Sequence, residues 1–461
     1  MARKATFTRR GFLRSAAAGA TGILLASCAP TPQVVEKKET VVQEVEKIVT
    51  VTPGPAAPVT IRFPQAMGDD GQPVFEEVAK WFTEKHPNVT VKVDPTFDWD
   101  FQKYLVQAAA GTAPDILWGD EHWSFLLAAK GVELDLNPFI EASGFKKDDY
   151  ADLYEYFTMQ GKLYSLAIWY GCEALFFNQT AFEKAELQLP NDKWTYDDML
   201  AAAKKLTVDS NGDEQPEQWG AQVETSWANP WGSVIGAFGG QFFNADGTEF
   251  LICKKPNYDG LQWYIDLIHK WKVAPTPEIS EALAGGGDPF QVGSVAMKFA
   301  AAWSLVTYRK ITDFVWDCAP MPLGPKGRSA ALTTDSLSIY RGTKYPDESW
   351  AFVVELLSSK AGKLYCEKFA GPLPIVKTAR DCWLKPDLPP KNQQLFLDAI
   401  DYAAPPMQSP YSYVVEEIFY QEMTSATDGT KTVDEAMAAC CDTINQLLAE
   451  EVEKLQSYGS T

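Results

Sequence analysis

Histidine is scarce in this chain of 461 residues: only His86, His122 and His269 are present, far apart and never in a His-Glu-x-x-His arrangement. That leaves no zinc site legible from spacing. Basic residues are also in deficit, with 41 Lys and Arg against 61 Asp and Glu for a formal charge of −20. A surface that binds nucleic acid through its phosphates is therefore excluded. Beyond the N-terminus no segment offers 18 uncharged apolar residues, so no mature helix is expected to span a bilayer. A Gly-x-Ser-x-Gly elbow is missing, and the run Gly285-Gly286-Gly287 lacks the Lys and Ser or Thr of a nucleotide loop and reads as a connection after a helix.

Cysteine is sparse and irregular. After Cys28 there remain Cys172, Cys253, Cys318, Cys366, Cys382, Cys440 and Cys441, without Cys-x-x-Cys spacing and odd in number. An oxidising compartment permits a bridge such as Cys366 to Cys382, while buried thiols are the default. Asp209, Asn211 and Asp213 alternate in the manner of a calcium loop, but the glycine is misplaced and no Glu stands at the twelfth position. A polar turn leaving a helix is the reading preferred there, so no metal is assigned.

What the sequence has in quantity is hydrophobic residues, at 46%, and aromatic ones, at 13%. A chain of this length and composition buries a sizeable core and suggests two domains or more. Its first 27 residues differ from the rest. They hold Arg3, Lys4, Arg9, Arg10 and Arg14 and no acid, so losing them takes the charge from −20 to −25. The order Arg9-Arg10, apolar run Ala16 to Ala26, then Leu25-Ala26-Ser27-Cys28 has the three parts of an export signal. The twin arginines resemble the signal for export of folded proteins, and the final box resembles a lipoprotein site at which Cys28 becomes the acylated first residue. Residues 28–58, with Pro30, Pro32, Pro53, Pro55 and Pro58, read as a flexible tether.

From Val59 onward the hydrophobic period alternates between strand and helix. Val59 to Phe63, Val89 to Val93 and Asp115 to Trp118 read as strands, with helical stripes at Phe75, Val78, Ala79, Phe82 and at Phe101, Tyr104, Leu105, Ala108 between them. This β-α-β-α-β order predicts a doubly wound α/β domain. Later expectations are extended segments at 163–170, 174–178, 296–299, 314–319 and 337–340, and helices at 180–185, 258–271, 349–357, 392–402 and 432–454. Thr195 and Asp198 form a capping box before a further helix.

Aromatic and amide or carboxylate residues recur together in loops: Trp118 to Trp123 with Asp120 and Glu121, Trp169-Tyr170-Gly171, Trp227 to Trp231, and Ala302-Trp303-Ser304. An indole covers the apolar face of a pyranose while carboxylates and amides take its hydroxyls, which suits a neutral polar ligand in a cleft. Asp120, Glu121 and Asp335 would meet only in the fold, and as paired carboxylates they keep glycoside hydrolysis open.

The chain resembles the extracellular solute-binding lipoproteins of ABC importers, in the sugar-binding, maltose-binding-protein-like subgroup. The resemblance covers 59–461 and rests on Trp81-Phe82, Gly111-Thr112-Ala113-Pro114-Asp115-Ile116, Gly161-Lys162-Leu163-Tyr164-Ser165-Leu166, Ala174 to Asn178, Trp194 to Met199 and Gly371-Pro372-Leu373-Pro374. It implies a two-lobe α/β fold with a discontinuous hinge, lobe one at 59–172 and 318–370, lobe two at 173–317 and 371–461. Implied ligand contacts are Trp118, Asp120, Glu121, Trp123, Trp169, Tyr170, Trp227, Trp303 and Gly371, although Ala167 stands where the family usually has proline. Implied too are a monomer without a cofactor or catalysis, partnered by a carbohydrate, an ABC permease and, through lipid on Cys28, the outer face of the cell membrane. A polyamine, glycerol phosphodiester or peptide is the alternative solute.

Overall fold

The computed structural model describes residues 57–461 except 96, 214, 225–228, 245–246, 256, 286, 370, 405–406, 408, 410–411 and 459–461. Arg9, Arg10, Cys28 and Trp227 thus lie outside the described residues. Strand β1, Val59–Pro64, buries Ile61 and Phe63 and pairs in parallel with β2, Val89–Asp94. Between them α1, Gly68–Lys85, turns Val74, Phe75, Val78, Ala79 and Phe82 inward, the helical spacing visible in the sequence. Helix α2, Phe101–Ala109, starts where the Asp100 side chain accepts from the Gln102 N–H, and β3, Ile116–Asp120, follows.

Downstream come β4, Ser165–Asn178, β5, Met297–Ala301, β6, Trp316–Ala319, β7, Ala330–Ile339, and the two-residue β8, Leu373–Pro374. The third strand of the β-α-β-α-β order does not prolong a parallel sheet: β3 is antiparallel to β7, with Ile116 opposite Ile339 and Asp120 opposite Asp335. Sequence order alone shows alternation of elements and not strand direction, which here is set by a partner far down the chain. The two extended segments expected around 163–178 are one strand. All fourteen residues of β4 are buried, the mark of a strand covered on both faces.

Two strands carry the chain between sheets. The first half of β4 pairs with β7 (Ser165 opposite Ser338, Cys172 opposite Leu332), and its second half with β5 and β6 (Glu173 opposite Ala301, Asn178 opposite Trp316). Strand β6 lies whole on residues 175–178 of β4, and the register of β7 against β4 shifts between Asp335 and Ser336.

The remaining helices pack outside these sheets. They include α3, Glu121–Ala129, α4, Tyr196–Leu206, α5, Asn229–Ala237, α6, Asp259–His269, α7, Pro346–Leu356, α8, Ser359–Lys368, α9, Ser412–Thr427, and α10, Val433–Tyr458. The predicted capping box at α4 is formed, with the Thr195 hydroxyl and Asp198 carboxylate satisfying each other's backbone amides. The disulfide is Cys253 to Cys441, and Cys366 and Cys382 are both thiols. Helix α10 carries Cys441 onto the 250–253 segment, where Asn445 also accepts from the Phe250 amide at 3.2 Å. In the calcium-like loop, Asp209 accepts from Gly212 N–H at 2.7 Å and Asn211 from Asp213 N–H at 2.8 Å, so these oxygens serve the turn.

Candidate functional site

The expected site residues converge on the crossing strands. At the end of β3 Asp120 caps α3, accepting from the His122 and Trp123 amides at 2.9 Å each. In register across the sheet stands Asp335, which also lies opposite Trp169 and accepts from its indole N–H at 2.8 Å. The bulge beside Asp335 bends the strand at this point and leaves the carboxyl half-buried. Two carboxyls directly opposite repel, and burial compounds the effect. Asp335 is pushed up to about 8, by burial first, with the Trp169 N–H holding it down and Asp120 raising it. Asp120 is pushed up to about 7, again by burial first, against the pull of His122.

Glu121, the next residue, is buried. One oxygen accepts from the Thr334 amide at 2.8 Å and its hydroxyl at 3.0 Å, while the other lies 3.4 Å from His122 Nε2. The other ring nitrogen of His122 forms an ion pair with Glu416 on α9 at 2.5 Å. Burial pulls the imidazole down, but Glu416 and Glu121 outweigh it and hold His122 well above its ordinary value. Helix α9 packs against α6 and α10 on one side and reaches α3 on the other. This single ion pair therefore ties the helices around α9 to the β3 and β7 sheet.

The tryptophans divide into two kinds. Trp118 is fully buried, its ring 5.2 Å from that of Trp169 and packed on Phe63 and Phe75. Trp169 shares that core with Tyr365 and Phe369 and points its N–H at Asp335. Trp303 is 49% exposed after β5, and Trp123 is half-buried beneath Trp99, which is 53% exposed at a ring distance of 5.5 Å. Tyr170 is buried with the Arg380 guanidinium 5.6 Å from its ring centre. Gly371 fits because it has no side chain: a Cβ there would sit 2.6 Å from the Trp303 Cα. Its carbonyl accepts from the Trp383 indole at 3.1 Å, and β8 then pairs with Trp169 and Tyr170.

The structure thus links Trp303 and Gly371 through β8 to Trp169 and Tyr170, and Trp169 in turn to Asp335, which stands opposite Asp120 with Trp123 beside it. It adds Glu416, Trp99 and Arg380, which the loop pattern did not single out, beside His122 of the Trp118 to Trp123 loop. The run Phe97-Asp98-Trp99-Asp100-Phe101 repeats the aromatic and acidic pattern and was a usable signal for Trp99. Nothing local marks Glu416, whose partner is brought to it only by the packing of α9 on α3.

A two-lobe fold whose crossing strands are lined by aromatics and carboxylates defines the class, and the sequence agrees. The chain belongs to the bacterial extracellular solute-binding protein family, matching over residues 68–363. This is a family of binding proteins and not of enzymes. A Brucella abortus (strain 2308) protein named as a binding protein is 26% identical over 314 residues, 66% of this chain and 73% of that one. The ABC substrate-binding protein of Listeria monocytogenes in complex with cycloalternan superposes with a TM-score of 0.74 at 24% identity, over 85% of this chain and 99% of that one. UgpB from Mycobacterium tuberculosis in complex with glycerophosphocholine has a TM-score of 0.71 at 17% identity, over 86% and 99%.

Proposed function

We propose that this protein is a lipid-anchored receptor that captures a carbohydrate between its lobes and hands it to an ABC permease. The observation that carries the reading is a chain of contacts that runs from the exposed indole residue Trp303 through the Gly371 turn and β8 to Trp169, whose N–H donates to the half-buried Asp335 opposite Asp120. An indole face takes the C–H face of a pyranose, and carboxyl oxygens accept from its hydroxyls. The cycloalternan complex of the Listeria protein supports a carbohydrate ligand.

In this reading lobe one comprises 59–172 and 318–370, and lobe two 173–317 and 371–461. Solute bound between the lobes favours the closed form, since only that form contacts it from both sides. The closed form is what the permease recognises, and ATP hydrolysis belongs to the transporter. Arg9 and Arg10 direct export, acylated Cys28 holds the chain to the outer face of the membrane, and 29–58 gives it reach. Nothing in the groove is assigned a catalytic role.

The test is isothermal titration of the chain lacking residues 1–58 against mono- and oligosaccharides, polyamines and glycerol phosphodiesters. Stoichiometric binding confined to one sugar class is the expected result. Binding confined to a phosphodiester overturns the carbohydrate assignment and keeps the transport role. A specific observation favours that second reading: Arg380 above Tyr170 offers a guanidinium to a phosphate, and the carboxyls offer charge to a choline-like cation. Silence across the whole panel would remove the capture role itself.

A further inference from the structure

Helix α8 and the segment Lys377–Cys382 approach closely enough to bring two thiols together. Gly362 makes the approach possible: a Cβ there would meet Val376 at 2.7 Å and Ala379 at 2.9 Å. One turn along α8, the Cys366 thiol donates to the Ala379 carbonyl at 3.4 Å, and the Cys382 thiol donates to the same oxygen at 2.7 Å. Their sulfurs are therefore no further apart than those two contacts laid end to end. Burial pushes the Cys366 thiol up, and its contact with Cys382 does so next, while Lys385 pulls it back. Cys366 is buried and Cys382 half-buried, so one of the pair can be reached from solvent.

We propose that Cys366 and Cys382 are a redox site that closes to a second disulfide by exchange with an oxidised dithiol donor. Extracellular family members work where thiols are oxidised, which supplies the setting. The Cys382 thiolate attacks the donor's disulfide; that S–S bond breaks, and one donor sulfur leaves and takes up a proton. The Cys366 thiolate then attacks the Cys382 sulfur, breaking the mixed disulfide and releasing the second donor sulfur, which is protonated in turn. Two thiols have lost two protons and two electrons, and the donor has gained them.

The bridge would close a loop containing Gly371 and β8, the stretch that seats Trp303 and pairs with Trp169 and Tyr170. Pinning both ends of that loop stiffens the crossover nearest the exposed indole. The redox state of the pair thus sets how firmly one wall of the groove is held.

The test begins with the full chain after export in a bacterial host. It is denatured without reductant, alkylated with N-ethylmaleimide and mapped by peptide mass, with and without prior incubation with oxidised glutathione. The expected result is a joined peptide pair containing Cys366 and Cys382, with Cys172, Cys318 and Cys440 alkylated. Cys382→Ser, which retains the Cys253 to Cys441 bridge, is expected to leave Cys366 alkylated and to lower Tm by about 2 °C or more. Recovery of Cys366 and Cys382 both alkylated under both conditions, or joined to any other cysteine, overturns the proposal.

Discussion

Trp118 and Trp303 are the same residue type in two physical situations, and their substitutions separate cleanly. Trp118→Ala empties the core between Phe63, Phe75 and Trp169 and is expected to cost about 3–5 kcal/mol of stability. Trp303→Ala removes a side chain that is half in solvent, and is expected to leave the urea midpoint nearly unchanged while weakening sugar binding about 10-fold. Urea melts and titrations on both variants check this pair; equal losses of stability would show that Trp303 is a packing residue. Glu133 gives a pH signature of its own. It is buried, accepts from Ser338 at 2.7 Å and Ser124 at 3.4 Å, and is pushed up to about 8 by burial. An acid whose folded value is raised binds its proton more tightly when folded. The cost of ionising it is absent below about 4.5 and grows as pH rises to about 8. Stability should fall across that window, and Glu133→Gln should flatten the fall by on the order of 2 kcal/mol, read from chemical denaturation at pH 5 and pH 8.

At the scale of elements, the contact of α9 with α3 is the sharpest prediction. His122 is held charged by Glu416 and Glu121, so the ion pair is fully present below the ordinary histidine value of 6.5 and is lost as pH rises through the raised one. Asp120 interacts with the same imidazole and ionises further as pH rises through about 7, so it first adds to its pull; the loss belongs to the alkaline limb. Glu416→Gln should weaken ligand affinity at pH 6 about 3- to 10-fold and abolish the difference between pH 6 and pH 9 that the unaltered chain shows. A pH profile unchanged by the substitution would sever closure from this pair. Gly371→Ala is a second element-scale probe, because it drives the turn against Trp303. A loss of about 1–3 kcal/mol in stability together with weaker binding is expected, measured by the same melts and titrations.

These elements also mark what the sequence could and could not disclose. Helix α1, β1, β2 and the α4 capping box are written in local period and cap chemistry, and were legible from 59–94 and 195–198 alone. The first half of β7 was not, since Ala330 to Ser336 mixes small and polar residues whose burial depends on β4 beside it. Helix α8, with one lysine before and two after a glycine in its ten residues, carries a weak apolar stripe and passed unread. The tryptophan loops are visible in the sequence, but which indole faces solvent is decided by neighbours such as Phe75 that lie elsewhere in the chain. The pairing of Cys253 with Cys441 is likewise a product of how α10 lies, and no spacing announces it.

The molecule as a whole is built around β4 and β7, each serving two sheets. Strand β7 supplies partners to β3 and to the first half of β4 from more than 150 residues downstream of β4. A chain ending at residue 329 should therefore lack a cooperative melt, although it contains β1 to β6 complete; circular dichroism on that fragment beside the unaltered chain is the check. A sharp transition in the fragment would show that the chain folds without β7. The same arrangement bears on synthesis. As the chain leaves the ribosome, β3 and the leading half of β4 wait with open edges until 330–339 emerges, so the nascent polypeptide passes a long interval in which it must be shielded from pairing with its neighbours.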